Sequence, residues 1–148
     1  MIKVKKIRDN AILPTRGSAV AAGWDLYAAE GAFVPAGKTV LVGTGLAMEI
    51  PEHFWGGVYA RSGLATKQGL RPANCVGVID ADYRGEIMVA LYNDSDSERI
   101  VQVGDRIAQL VFHPLVEIIP KNDKMWEVVD NLDDTDRGNG GFGSTGSN

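Results

Sequence analysis

Short, β-branched periodic segments separated by turn residues fill most of the chain. Their apolar–polar patterning predicts strands over residues 2–7, 39–42, 46–50, 56–60, 76–79, 86–92, 99–103, 107–112, 116–119 and 126–129. Between them stand Pro35, Gly37, Pro51, the polar run from Asn93 to Asp96, Gly104, and the run from Pro120 to Asp123, all of which favour reversal over extension. About ten short strands with this punctuation predict an all-β fold, a jelly-roll-like sandwich or barrel. One segment reads differently. Residues 62–69 predict a single short helix, capped by Ser62 and stopped by Gly69. No internal repeat is visible.

The pattern changes near Asp130. Residues 131–136 are polar and acidic, while residues 137–148 contain five glycines and a single large apolar residue, Phe142. Such a segment buries too little surface to order itself on a core. The expectation is a β core over residues 1–130 and a glycine-rich arm over 131–148. The 18 residues beyond Asp130 reach roughly 60 Å at most. That is several times the ~14 Å radius of gyration of a domain this size.

Composition narrows the picture. A length of 148 residues suits one domain. Lys and Arg number 15 against 19 Asp and Glu, a net charge of −4. No basic run offsets that charge, which argues against stable binding to nucleic acid or to a membrane surface. A single cysteine, Cys75, excludes an intrachain disulfide framework and points to a reducing compartment. No signal-like apolar stretch follows the basic start, and no apolar run approaches the ~20 residues that span a bilayer. The expected location is cytoplasmic, with an organelle or nucleus compatible. Glycine is the outlier: 18 residues in 148, or about 12% against an average near ~7%. That excess favours turns and sites of close backbone approach.

The tail RGNGGFGSTG (residues 137–146) holds a formal match to the dinucleotide fingerprint at Gly138, Gly140 and Gly143. That motif must follow a strand and open a helix, so the match misleads. A Walker A loop is excluded because no Lys precedes Ser144. The groups still suit a polyphosphate: bare backbone N–H, the hydroxyls of Ser144 and Thr145, and the cation of Arg137. Phe142 offers a face on which a base can stack, worth roughly 1–3 kcal/mol in other sites. A segment that orders only around a nucleotide would act as a lid.

Three internal segments have a similar density of chemistry. Asp25 follows a run of small residues and, by itself, reads first as a turn or strand-end carboxylate. Arg61, Ser62 and Gly63 lie where a predicted strand meets the helix, a ready anion site or simply a cap beside a surface Arg. The run 76–79 delivers Asp80 at a strand end. Asp82, two residues on, shares its face if the backbone stays extended, although this spacing also suits plain turn chemistry. Asn74 and Tyr83 are suited to a base or sugar or to a structural role. Gln109 lies on a predicted strand, and Arg106 before it suits a carboxylate partner. Two histidines and one cysteine cannot supply an ordinary zinc site, and no Gly-x-Ser-x-Gly elbow is present. Any metal should be a hard ion on oxygen ligands, with Mg²⁺ carried by substrate phosphates the best match.

Taken in order, AAGWDLYA, YARSGLA, GVIDADYRG, GDRIAQL and RGNGGFGSTG resemble the five motifs of the trimeric deoxyuridine triphosphate nucleotidohydrolases, the dUTPases. With the intervening strands they cover nearly the whole chain. Trp24 before the Asp and Ala60 before Arg61 depart from the commonest pattern without removing a reactive group. The resemblance implies a jelly-roll-like fold and a homotrimer with three sites at subunit interfaces, each closed by a neighbour's arm. It implies hydrolysis of dUTP to dUMP and pyrophosphate, which limits uracil in DNA and supplies dUMP for dTMP synthesis.

The roles it implies are specific. Asp80 matches the carboxylate that positions water for in-line attack on the α-phosphorus. Asp25 matches a residue on the metal–phosphate side, acting on Mg²⁺ through bound water. Arg61, Ser62, Gly63 and Gln109 match phosphate contacts, Arg137 the γ-phosphate contact, and Gly143, Ser144 and Thr145 the rest of the cradle. Asn74 with the backbone of Gly77 and Ile79 would read the uracil edge, Tyr83 would pack under the deoxyribose, and Phe142 would close over the base. Competing readings are a dCTP deaminase or bifunctional deaminase–dUTPase of the same fold, and a nucleotide-gated protein-binding module. The deaminases resemble an Arg-Ser-Ser pattern with a catalytic Glu, where this chain has Arg61, Ser62 and Gly63.

Overall fold

The structure, a computed structural model, describes residues 1–74, 76–115 and 126–135. Eleven strands and one helix lie among them. The chain divides into two units, Met1–Val116 and Glu117–Asn148, and all these elements belong to the first.

Every named ladder is antiparallel. One four-stranded sheet runs β2 (Trp24–Tyr27), β11 (Arg106–Pro114), β6 (Phe54–Tyr59), β8 (Gly77–Ile79) in spatial order. A three-stranded sheet runs β4 (Thr39–Gly43), β9 (Met88–Asn93), β7 (Leu70–Pro72). Two pairs complete the set: β1 (Lys3–Lys6) with β5 (Leu46–Glu49), and β3 (Ala32–Val34) with β10 (Arg99–Val101). Neighbours in these sheets are mostly far apart in sequence, the jelly-roll-like wiring expected of the pattern.

Eight predicted strands are present, their ends moved by up to two residues. The one over 116–119 lies outside the described residues. Residues 126–129 belong to no strand, contrary to expectation. Trp126 and Val128 are 82% and 99% exposed, and an alternating pattern without a partner ladder has nothing to hold it extended. β2, β3 and β7 were not predicted.

Alternation along the central sheet decides which residues face the core. On β11, Ala108 and Leu110 point inward while Gln109, Val111 and His113 point to the other face. The register with β2 shifts between Arg106 and Ala108, and this irregularity lets adjacent Ile107 and Ala108 both be buried. Leu26, Val34, Val42, Leu46, Ile87, Leu91, Ile107 and Leu110 make up much of the core, each worth about 1.5–3 kcal/mol against exposure.

Two buried polar residues are satisfied. The Asn93 Nδ2 donates to Val34 O and Ser97 O, both at 2.8 Å, while its Oδ1 accepts from Ser95. The Thr44 hydroxyl donates to Ile87 O at 2.8 Å.

The helix α1 (Ser62–Gln68) forms where predicted, with one correction. Arg61, in extended conformation, is the N-cap residue and makes no side-chain cap bond, so Ser62 is the first helical residue and not the cap. The prediction of a stop at Gly69 holds. At φ 69° Gly69 donates its N–H to Ala65 O and Leu64 O, the left-handed turn that glycine enters without a Cβ penalty.

Candidate active site

Strand register builds the first half of the site. Asp25 on β2 and Gln109 on β11 are directly opposed, and Gln109 also faces Tyr59 on β6. Opposed residues of an antiparallel ladder share a face, so Asp25 and Gln109 emerge together, away from the core that Leu26 and Leu110 enter. The chain leaves β6 at Ala60, whose carbonyl accepts the Gln109 Nε2 at 2.8 Å. Arg61, Ser62 and Gly63 follow at the start of α1.

Arg61 is held over Asp25. Its Nε donates to Asp25 Oδ1 at 2.8 Å, and another of its nitrogens donates to Arg106 O at 3.0 Å. The Arg106 guanidinium reaches Asp25 Oδ2 at 3.3 Å. Both carboxylate oxygens are therefore engaged, and the Asp25 side chain is only 16% exposed. Two guanidinium groups face one carboxylate, which leaves this spot positive within an acidic chain. Asp25, Arg61, Ser62, Gly63, Arg106 and Gln109 line one cavity of about 350 Å³, together with Gly17, Ala21, Ala22 and Gly23. A Cβ at Gly23 would collide with the Gln109 side-chain oxygen, whereas one at Gly63 would meet no atom of this chain. A side chain at 23 would thus displace the Gln109 amide, and Gly63 leaves open space.

A second cavity of about 170 Å³ is lined by Val78, Ile79, Asp80, Tyr83, Glu86, Ile87 and Met88. Asp80 follows β8 directly and is exposed. The backbone then turns, with the Tyr83 N–H bonded to Asp80 O at 3.1 Å. The extended backbone that would put Asp80 and Asp82 on one face is therefore absent. The Tyr83 hydroxyl donates to Glu86 O at 2.9 Å, and its ring lies against Gly85. Asn74 sits over Gly77, where a Cβ would lie 3.0 Å from its Nδ2. β8 ends its sheet and pairs only with β6 among the described strands. Half of its backbone groups therefore point away from that partner, available to a ligand edge.

The structure thus joins Asp25, Arg61, Ser62, Gly63 and Gln109 in one cavity and places Ile79, Asp80 and Tyr83 in another, with Asn74 and Gly77 stacked on each other at β8. The two cavities share no lining residue. Arg137, Phe142, Gly143, Ser144 and Thr145 lie outside the described residues. The sequence reading missed Glu86 and Gly23, because neither contact is local. The carboxylate partner expected for Arg106 is Asp25. A third cavity, apolar and lined by Ile2, Val4, Trp24, Leu110 and Phe112 among others, carries no ionisable side chain.

The donor set bears on Mg²⁺. Among the described residues no group of three or more His, Cys, Asp or Glu side chains is placed to hold a metal ion. With both oxygens facing guanidinium groups, Asp25 fits a hydrated cation met through water better than direct coordination.

Two guanidinium groups on one carboxylate, beside glycine-lined space, make a cavity whose chemistry suits an anionic oxygen. The dUTPase family profile matches residues 9–146. The deoxyuridine 5'-triphosphate nucleotidohydrolase of Debaryomyces hansenii is 49% identical over 140 residues, covering 95% of this chain and 84% of that one. A solved structure of a mutant Staphylococcus bacteriophage 80alpha dUTPase with dUpNHpp is 27% identical, covers 99% of both chains and superposes with a TM-score of 0.87. A mutant dUTPase from phage phi11 of S. aureus, 22% identical, shares the fold with a TM-score of 0.78 over 90% of this chain and 99% of that one. Its description names a structural Mg(II) ion. The chain belongs to the dUTPase family, whose function is the hydrolysis of dUTP.

Proposed function

We propose that this chain hydrolyses dUTP to dUMP and pyrophosphate by in-line attack of an Asp80-oriented water on the α-phosphorus. The observation that carries the reading is the meeting of three motif segments in one cationic cavity, while the fourth, GVIDADYRG, forms the other. The triphosphate occupies the first. Arg61, Ser62 and Gln109 donate to its oxygens, and Gly63 lets it approach the backbone. The nucleoside occupies the second. There the outward edge of β8 and the Asn74 amide pair with the uracil edge, a close wall excludes the thymine methyl, and Tyr83 packs against the sugar.

Asp80 sits where β8 ends, next to both the base contacts and Tyr83. A carboxylate is a weak base toward water, so orientation contributes at least as much as proton acceptance. Mg²⁺ arriving with the triphosphate neutralises charge on the leaving group. Asp25 holds Arg61 and Arg106 in place and faces the hydrated metal.

As the resemblance to the trimeric dUTPases implies, the reading includes a homotrimer whose sites combine residues of different copies. Residues 131–148 then supply a closing arm over the 1–130 core, with Arg137 on the γ-phosphate, Gly143, Ser144 and Thr145 around the phosphates, and Phe142 over the base. Among the described residues no helix is long and apolar enough to cross a membrane, and a cytoplasmic location belongs to the same reading.

Hydrolysis in ¹⁸O-labelled water tests the mechanism. Attack at the α-phosphorus puts the label in dUMP; label in pyrophosphate would exclude it.

A further inference from the structure

We infer that Arg8, acting through Glu86, is a positioning residue that sets Tyr83 against the sugar and so sharpens the choice of deoxyribonucleotide over ribonucleotide. The inference rests on the function proposed above.

Arg8, Glu30 and Glu86 come from three distant segments and meet over the β4–β5 turn, residues 43–45. Arg8 donates to Glu30 Oε2 at 2.9 Å and to Glu86 Oε2 at 3.1 Å. The second oxygen of each carboxylate accepts a turn N–H: Glu30 from Gly43 and Glu86 from Gly45, both at 2.8 Å. The site is too tight for a side chain on the turn. A Cβ at Gly43 would lie 2.5 Å from Glu86 Oε1 and 2.8 Å from an Arg8 nitrogen. The neighbour of Glu86 is fixed as well, with Ile87 N bonded to Leu46 O at 2.8 Å and Ile87 O accepting from Thr44.

Glu86 is also a wall of the nucleoside cavity. Its carbonyl accepts the Tyr83 hydroxyl at 2.9 Å. The Tyr83 ring leans on Gly85, where a Cβ would lie 2.7 Å from Cζ. Tyr83 is otherwise 45% exposed, so the main chain at 85–86 largely decides where its ring stands. Arg8 lines neither cavity. Removing its charge leaves two carboxylates facing each other across Gly43, and like charges that close repel. Glu86 then loses the bond that holds its carboxylate, and any shift it passes to its own main chain reaches the carbonyl that accepts the Tyr83 hydroxyl.

Steady-state kinetics of the full chain with dUTP and UTP, alongside melting temperatures, test this for Arg8→Met, Arg8→Lys and Glu86→Gln. In Arg8→Met the ratio of kcat/KM for dUTP to that for UTP is expected to fall about tenfold, through KM for dUTP, with kcat within about twofold. Arg8→Lys keeps the charge and recovers most of the ratio. Adding Arg8→Met to Tyr83→Ala changes the ratio no further, since both act through one ring. An unchanged ratio in Arg8→Met at a lowered melting temperature would show that the network only stabilises the fold and overturn the inference. Should Arg8→Met fail to fold, an unchanged ratio in Glu86→Gln overturns it equally. Absence of dUTP turnover in the unmodified protein would overturn the proposed function itself, a result distinct from either ratio.

Discussion

Arg61 and Asp25 are 36 residues apart in the chain, yet the arginine Nε donates to the carboxylate Oδ1 at 2.8 Å. The pair converts a flexible cation into an oriented one. The remaining N–H groups of Arg61 are aimed by Asp25 on one side and by the Arg106 carbonyl on the other, before any anion arrives. Preorganisation of this kind reduces the ordering cost of binding.

Asp25→Asn keeps the shape and removes the charge. Hydrogen bonds to charged groups contribute about 1.5–3 kcal/mol, and each 1.4 kcal/mol is about tenfold. The expected result is a loss of roughly 10- to 100-fold in kcat/KM for dUTP. Initial-rate kinetics check it; an unchanged value would detach Asp25 from the site.

Asp80→Asn separates binding from turnover. Its kcat should fall by about 10²–10⁴, the range for a positioned proton acceptor, while calorimetry shows nucleotide affinity within a few-fold of the parent. Near-normal kcat would remove Asp80 from its role.

Gly23→Ala forces a methyl group into the Gln109 side chain, whose Nε2 is tied to Ala60 O. The expected outcome is a rise of about tenfold in KM with a small loss of stability. Gly63→Ala meets no atom of this chain and should keep or slightly raise the melting temperature, since alanine is the better helix former. Lost activity in that variant would show that the ligand comes close to Gly63.

Much of the molecule was legible because one face of each longer strand is buried and the pattern shows it. β2 was hidden: the small residues before Trp24 and the lone Asp25 read as turn chemistry, although Leu26 is fully buried between its neighbours. β7 ends in Pro72, which argues against a central strand and is tolerated here at the edge of the β4–β9–β7 sheet. Residues 126–129 have strand-like alternation but no ladder, and pairing is not a local property. The same distinction divides the site. The resemblance singled out Asp25, Arg61, Asp80 and Gln109 one by one. Their division between two cavities, and the convergence of Arg8, Glu30 and Glu86, depend on strand register that no local pattern encodes.

The Arg8–Glu30 pair predicts acid sensitivity. Bonds from Arg8 and from the Gly43 N–H hold the Glu30 carboxyl below its usual range. A carboxyl more acidic when folded than unfolded contributes stability above its unfolded value, about 4.3, and loses it as pH falls through the folded value. Melting temperature should therefore drop below about pH 4.5, and Arg8→Met should flatten that drop. An identical acid limb in both proteins would contradict the pairing.

The most direct measurement is pyrophosphate release from dUTP, UTP, dTTP and dCTP, with and without magnesium. Rapid release from dUTP with magnesium, and little from the other three, is the predicted result. Intact dUTP after prolonged incubation, or ammonia released from dCTP, would contradict it.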